Sequence, residues 1–395
     1  MGSRPLSIAL ITLAQLLALS IWFAGTAALP AMMASVELSR FAQAALTSSV
    51  QIGFVVGALI SAILGVADRY DARRIFAFGA LAAAGANLLA LGTEPGSAAM
   101  IVWRSIAGAS LALVYPVGMK LAASWARGDA GLLVGLLVGA LTLGSATPFA
   151  FNLLSDSTAW PAPFLFSAGA AFLAAALILF ARQGPAFKQG ARFDPSAMLI
   201  AFRQPALRYA NLGYLGHMWE LYAMWAWVPV FLHAYFSDAF TADLTAFSVV
   251  AIGAAGCLYA GWAADRYGRT TITMTAMTVS GLCALISGFL FGAPVWLLVP
   301  VLLIWGISVI ADSAQFSASI AELAPPERAG TLLTLQTAMG FALTALVIQL
   351  LPLWIDFAGW TYAFFPLAIG PAIGVWAMWK LRQRPEAVKL AGGKR

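Results

Sequence analysis

Charge is what this sequence lacks. Asp, Glu, Lys and Arg together make up only 10% of the 395 residues, whereas 62% are hydrophobic and the mean hydropathy is +0.87. Soluble domains carry about 25% charged residues, and 22 basic and 16 acidic side chains cannot cover the surface of a folded chain of this size. The composition excludes soluble globular, disordered and collagen-like classes. The chain is therefore expected to fold in lipid.

Cysteine and histidine are also scarce. Cys257 and Cys283 are the two cysteines and lie in apolar runs, where they are expected to be small buried hydrophobes, so no disulfide framework follows. His217 and His233 are the two histidines, too few for a metal cluster or for a membrane-embedded enzyme. The ATP-binding pattern of Gly-x-x-x-x-Gly-Lys-Ser/Thr does not occur. We expect no enzyme activity, no metal and no cofactor.

Long apolar runs fill most of the chain. Each is near the roughly 20 residues that a helix needs to cross about 30 Å of hydrocarbon. Lipid offers no water to backbone groups, and these runs lack the period-2 alternation of barrel strands, so they are predicted to be helices. We call them spans 1 to 12, at residues 6–33, 45–67, 74–93, 98–123, 130–154, 161–182, 207–236, 243–264, 270–291, 295–321, 329–354 and 360–381.

The basic residues sort to one side of this arrangement. Of the 22 Lys and Arg, all but Arg40 and Arg104 lie on the side of the two termini, in loops, tails or the adjoining span ends. By the positive-inside tendency, both termini are expected to be cytoplasmic, in the inner membrane of a bacterial cell. The net charge of +6 is thus explained by topology, and nucleic acid is not an expected partner.

The chain divides into two repeated halves. The longest loop follows span 6, and within it Asp194-Pro195 is typical of a helix start, which predicts a short interfacial helix. The predicted organisation is a six-helix bundle at 1–182, a cytoplasmic linker at 183–206, a second six-helix bundle at 207–382 and a cytoplasmic tail at 383–395. The fold class is an all-α membrane protein of two pseudo-symmetric bundles. Matched landmarks near a constant offset support the duplication: Pro30 and Pro229, Asp68 and Asp265, Gly131 and Gly330.

A charged loop occurs once in each half. The second copy runs from Gly261 to Arg269 and fits the pattern G-x-x-x-D-R-x-G-R, whereas the first has Leu64 and Asp71 where the pattern has glycine. These loops resemble the cytoplasmic signature of the major facilitator superfamily. The resemblance implies a twelve-helix transporter whose two loops hold neighbouring helix ends together in one state and release them in another. The residues expected to gate are Asp68, Arg69, Arg73, Gly261, Asp265, Arg266, Gly268 and Arg269. The alternative is that the basic residues of these loops only set the topology.

Span 7 carries His217 and Glu220 three residues apart, which places both on one helix face near the midplane. A carboxyl group at that depth can accept and release a proton during transport, and a neighbouring imidazole can modulate it. The alternative is that the two side chains hydrogen-bond to each other or to a neighbouring helix.

Two further charges lie inside spans. Arg104 opens an Arg-x-x-x-Gly element in span 4 that also resembles the family, and Asp312 lies in span 10. An intramembrane charge is a functional hypothesis by default. The alternatives are that Arg104 binds backbone carbonyls or a helix end, or that it pairs with an acid. The residues predicted to bind substrate or proton are Glu220, His217, Arg104, Asp312, Gln15, Tyr115, Tyr214 and Gln315.

The sequence therefore predicts a secondary active transporter that moves a small organic solute by alternating access, coupled to protons. It is expected to be a monomer in membrane lipid. A substrate-sensing receptor on the same scaffold is one alternative, and a drug or metabolite efflux antiporter in place of an uptake symporter is another. The glycines of span 5 resemble an antiporter element, but Pro148 stands where glycine is expected, so antiport is not inferred.

Overall fold

The computed structural model describes residues 4–127, 129–154, 160–187, 197–325 and 328–394. Regular structure in these ranges is helical throughout. The first half contains the helices Arg4–Leu19, Ala24–Ser35, Arg40–Leu64, Val66–Arg69, Ala72–Leu91, Ala98–Leu111, Tyr115–Ala123, Ala130–Leu154 and Ala162–Phe180. The second half contains Pro205–Tyr235, Ala239–Ala251, Gly253–Tyr267, Arg269–Ser287, Val295–Ala311, Ser313–Leu323, Ala329–Ala358 and Ile369–Arg382.

Twelve membrane-spanning helices form two bundles of six. Eleven helical segments of the described chain are long and apolar enough to cross a membrane. Span 7, Pro205–Tyr235, completes the set with 31 residues. Its hydropathy is lower because it carries polar and ionisable side chains, among them His217 and Glu220. Buried polar groups of this kind are tolerated only where they face protein.

Spans 1, 4, 8 and 10 are interrupted along their length. Span 1 breaks between Leu19 and Ala24, span 4 between Leu111 and Tyr115, span 8 at Ile252 and span 10 at Asp312. A break leaves backbone groups without their helical partners, so other parts of the protein must bind them. The breaks in spans 4 and 10 fall at matching places in the two halves. Arg104 contacts the break in span 1, and the His217–Asp312 pair lies at the break in span 10.

Close glycine contacts repeat in both halves. A Cβ added at Gly108 of span 4 would lie 2.1 Å from the carbonyl oxygen of Val50 in span 2. A Cβ added at Gly306 of span 10 would lie 1.9 Å from the carbonyl oxygen of Val249 in span 8. Glycine is thus required where these helices cross, as is typical of packing between membrane helices. The two halves use the same device at equivalent positions.

The two bundles meet along two pairs of helices. Span 2 packs against span 11, and span 5 packs against span 8. We call the side that holds Arg4 and Arg382 the terminal face, and the side that holds Arg40 and Trp360 the far face. The span-2 to span-11 contact extends to the far face, and the loops with the charged signature lie at the terminal face.

The linker and the tail are both partly helical. The linker contains the helix Ala197–Arg203, whereas Asp194 and Pro195, which predicted its start, lie outside the described residues. Span 7 begins at Pro205, two residues before the predicted boundary, because proline is well placed in the first turn of a helix. The tail forms a 3-10 stretch at Pro385–Gly393 that packs against the bundle.

Candidate functional site

Glu220 lies inside the second bundle and is 2% exposed. Its carboxylate accepts one hydrogen bond from Ser280 Oγ of span 9 and one from Trp305 Nε1 of span 10, both at 2.8 Å. Both donors are uncharged. A carboxylate held only by neutral donors at this depth is poorly compensated when it is ionised, so it is suited to carry a proton.

His217 forms a separate pair. Its Nδ1 lies 2.8 Å from Asp312 Oδ1, and the two side chains are 1% and 2% exposed. Asp312 stands at the break of span 10, between the helices Val295–Ala311 and Ser313–Leu323. His217 and Glu220 thus do not bond to each other, and each instead contacts neighbouring helices, as the second part of the alternative states. Glu220 and His217, one helical turn apart on span 7, both contact side chains of span 10.

Arg104 lies fully buried and binds the break in span 1. Nη1 donates to the carbonyl of Ile21 at 3.0 Å and to Asn87 Oδ1 at 2.9 Å, and Nη2 donates to the carbonyl of Trp22 at 2.9 Å. Nε donates to the carbonyl of Leu46 at 3.3 Å. These bonds supply partners to backbone groups that the break frees. The structure thus favours the backbone-carbonyl alternative, and the pairing of Arg104 with Asp312 is not found.

The remaining predicted binding residues have separate surroundings. Gln15 is fully buried and donates to the carbonyl of Leu137 at 3.3 Å. Tyr214 packs closely on span 11, where a Cβ added at Gly340 would lie 2.4 Å from the tyrosine ring. Tyr115 begins the second segment of span 4. Gln315 accepts a hydrogen bond from Arg269 Nη1 at 2.7 Å, so it belongs to the charged loop at the terminal face. Their contact with substrate stays a prediction.

An aromatic layer joins the two halves near the midplane. Trp22 of span 1 lies 5.0 Å from Phe54, 5.9 Å from Tyr222 and 5.1 Å from Phe341, measured between ring centroids. Phe54 and Phe341 are 4.7 Å apart. Such ring pairs add stabilisation beyond their buried area. The layer consists of Trp22, Phe23, Phe54, Tyr222, Trp225 and Phe341.

Polar contacts join the halves between this layer and the far face. Arg40 makes a two-pronged contact with Asp356, through Nε at 2.8 Å and Nη2 at 2.7 Å. Gln349 Nε2 donates to Ser48 Oγ at 2.8 Å. A cavity of about 620 Å³ lies beside these contacts, with Trp227 and Trp360 in its wall. The far side of the interface is thus bridged by side chains from both bundles.

The second charged loop is organised around Arg269. Its guanidinium donates to both carboxylate oxygens of Glu322, at 2.8 and 2.6 Å, and lies 3.8 Å from Asp265. Gly268 adopts φ +93, which requires glycine, as the signature predicts. Sequence analysis missed Glu322. It stands seven residues after Gln315 on the same helix face, which is the signal that could have indicated it.

In the first loop, Asp71 stands where the signature has glycine, and its side chain caps the helix that follows. Asp71 accepts from the backbone N–H of Arg73 at 2.9 Å and starts the helix Ala72–Leu91, with φ −60, so glycine is not needed there. The Arg73 side chain hydrogen-bonds Asp71 and holds the pKa of that carboxyl below its ordinary value. Arg73 also reaches the carbonyl of Ala181 at the end of span 6. The side chain of Asp68 lies outside the described residues.

The other signature residues have local roles in this structure. The guanidinium of Arg266 lies 5.0 Å from the ring centre of Trp262, a cation–π contact, and Arg69 is exposed. Gly261 is buried and lines a cavity of about 230 Å³ beside Arg269. The contacts described for Arg73 and Arg269 all stay within their own half. The gating roles remain predictions.

Comparison with known proteins identifies the family. The model of the Major Facilitator Superfamily matches residues 11–348, and the chain belongs to this family. A search of curated protein sequences finds no match.

Solved structures with the same fold cover nearly the whole chain. A D-xylose-proton symporter superposes with a TM-score of 0.78 at 16% identity, covering 98% of this chain and 99% of that one. The xylose transporter XylE from E. coli, in a partially occluded inward open conformation, gives 0.75 at 15% identity, with 96% and 99% covered. A point mutant of the nucleoside transporter NupG gives 0.73 at 15% identity, with 96% and 100% covered. At these identities the likeness shows the fold alone.

Proposed function

We propose that this protein is a proton-coupled secondary transporter of an uncharged, hydroxylated small solute. Its two bundles expose a site near the midplane to each side of the membrane in turn. Membership of the major facilitator family supports transport as the class of work. The observation that carries the coupling is the buried Glu220 carboxylate, which neutral donors from two other spans hold in place.

Proton coupling follows from the position of the two acid sites. Glu220 and the His217–Asp312 pair lie on the contact of span 7 with spans 9 and 10, and span 10 is broken at Asp312. A shift of the segment Val295–Ala311 moves Trp305, the partner of Glu220, and a shift of either segment of span 10 moves Asp312, the partner of His217. Protonation and the arrangement of the helices are thereby linked, as coupled transport requires.

We infer that the solute is uncharged from the hydrogen-bond partners of the buried polar groups. The buried charges are held by the protein itself: Arg104 by carbonyls and Asn87, Glu220 by Ser280 and Trp305. In the described part of the chain, the buried atoms without a hydrogen-bond partner include both amide atoms of Gln336, Gln51 Nε2, Trp225 Nε1 and His217 Nε2. They also include Asp312 Oδ1, which faces His217 Nδ1 at 2.8 Å.

Neutral amide and indole groups beside aromatic rings suit a hydroxylated ring compound, because each hydroxyl can donate and accept. The structural neighbours named for D-xylose and nucleosides act on uncharged solutes of this kind. A dianion would require an unpaired cation, which these contacts do not offer. We therefore assign the neutral solute as the preferred class.

In this proposal the closed side of the interface is the far face, and the contacts between the halves support it. The aromatic layer, the Arg40–Asp356 pair and the Ser48–Gln349 hydrogen bond all bridge the halves there. With both termini in the cytoplasm, as the basic residues indicate, this side is the outside of a bacterial inner membrane. Transport then requires these contacts to break.

A flux assay tests the proposed function. The purified chain is reconstituted into vesicles, and uptake of a labelled panel of neutral sugars and nucleosides, organic anions and organic cations is measured under an imposed pH gradient. We expect at least one neutral compound to accumulate and its accumulation to collapse when a protonophore is added. Accumulation of charged compounds alone, or accumulation that ignores the protonophore, contradicts the proposal.

A further inference from the structure

The end of the chain folds back onto the terminal face of the second bundle. In the stretch Pro385–Gly393, Ala387 and Leu390 are fully buried, whereas Val388 between them is 55% exposed. The tail therefore presents one apolar face to the protein and the other to solvent. Burial of this kind indicates that the segment docks at a defined site on the bundle.

The tail ends in a left-handed turn. Ala391, Gly392 and Gly393 have φ of +47, +67 and +98. This region strongly favours glycine, and an alanine held there must be fixed by its surroundings. The turn aims the backbone N–H of Ala391 at Glu322 Oε2, 3.1 Å away, and Lys394 Nζ at the carbonyl oxygen of Asp265, 2.6 Å away.

Both targets belong to the charged loop of the second half. Glu322 Oε2 is the oxygen that also accepts from Arg269 Nε, and Asp265 lies 3.8 Å from the same arginine. Lys394 adds a cation at the end of the helix Gly253–Tyr267, where its last carbonyls carry partial negative charge. The tail thus supplies two further hydrogen bonds to the group that joins spans 8, 9 and 10.

The helix fixed by these contacts leads directly to the His217–Asp312 pair. Glu322 is in the helix Ser313–Leu323, which begins next to Asp312, the partner of His217. One end of this short helix is held by the tail and Arg269, and the other end carries the buried acid. A contact that restrains the first end restrains the movement of the second.

We propose that the tail, residues 385–394, is a regulatory latch that holds Ser313–Leu323 in its present position and slows the conformational cycle. The docking site is occupied by the chain's own tail, and release of the tail frees the helix Ser313–Leu323. The docking stands on contacts alone, whereas the effect on rate rests on the proposed transport function.

Hydrogen exchange tests the docking without any solute. Full-length protein in lipid nanodiscs is compared with two variants. Leu390→Glu places a charge in the buried docking site, and Val388→Glu places the same charge on the exposed side of the tail. A chain truncated after Arg384 removes the latch entirely. Exchange is measured by mass spectrometry in peptides covering 313–323.

We expect exchange in 313–323 to rise about tenfold in Leu390→Glu and in the truncated chain, the size expected from losing one hydrogen bond to a charged group. Val388→Glu should match the unmodified protein. If Leu390→Glu does not fold, the truncated chain decides the matter. Unchanged exchange in the truncated chain, or an equal rise in Val388→Glu, overturns the latch.

Flux measurements separate this inference from the proposed function. Once a transported solute is known, truncation should raise its initial uptake rate, and an unchanged rate would show that docking does not regulate. Absence of flux in every variant, with the exchange result intact, would contradict transport and leave the docking established.

Discussion

At the scale of single residues, Glu220 is distinguished by what surrounds it. Ser280 and Trp305 reach its two oxygens from separate helices, and neither brings a charge. In the transport cycle that we propose, this carboxyl is neutral in one state and ionised in another, according to which side of the membrane it meets.

Glu220→Gln removes ionisation and keeps one oxygen that can accept from Trp305 Nε1, while its amide N–H can donate to Ser280 Oγ. We expect accumulation driven by a pH gradient to disappear, whereas exchange of labelled for unlabelled solute continues, because exchange needs no net proton movement. Both assays are run on reconstituted vesicles, with Glu37→Gln at the exposed far face as the matched control. Equal accumulation by Glu220→Gln and the unmodified protein would rule out Glu220 as the proton carrier.

Arg104 is distinguished by the shape of its guanidinium, which lets it bind several acceptors at once. Its planar guanidinium reaches carbonyls of Ile21, Trp22 and Leu46 and the side chain of Asn87, a spread that a single ammonium cannot match. Arg104→Lys keeps the charge and loses several of these bonds. We expect a loss of about 2 kcal/mol in stability, seen as a lower unfolding temperature in detergent. An unchanged unfolding temperature would contradict the role of Arg104 as a clamp on span 1.

At the scale of helices, contact between spans depends on the absence of side chains at the crossing points. At Gly306 an added Cβ would meet the carbonyl of Val249 at 1.9 Å, whereas at Gly169 of span 6 nothing lies within 4 Å. We expect Gly306→Ala to cost about 2 kcal/mol, since spans 8 and 10 must move apart, and Gly169→Ala to be neutral or slightly stabilising. Thermal unfolding measures both, and equal behaviour of the two variants would show that the crossing is not close-packed.

The sequence allowed the spans and their pairing into halves to be predicted, because apolar length and the placement of arginines are local signals. It did not reveal the break at Ser20–Phe23 or the partner of Arg269. The break exists because Arg104, 83 residues from Ile21, supplies hydrogen bonds to it. Glu322 lies 53 residues from Arg269. Pairings over such distances are set by tertiary packing, which a single sequence does not encode in any short pattern.

At the scale of the whole molecule, the two bundles touch through an apolar layer with polar contacts beyond it. The exposed Arg40–Asp356 pair contributes little by itself, since solvent screens it. The buried rings of Trp22, Phe54 and Phe341 hold the halves more firmly. Alternating access, as proposed, requires this whole set of contacts to open and close in every cycle, while each bundle keeps its own internal pairs.

Cross-linking the halves at the far face tests that requirement most directly. Ser48→Cys and Gln349→Cys replace two side chains that hydrogen-bond at 2.8 Å, and the native Cys257 and Cys283 are buried and slow to react. Uptake of a transported solute is measured with the two introduced thiols joined by a short, reducible bifunctional reagent, and again after reduction, with Ser48→Cys alone as the control. We predict that cross-linking stops transport and that reduction restores it. Transport at the full rate by the cross-linked protein would contradict alternating access between the two bundles.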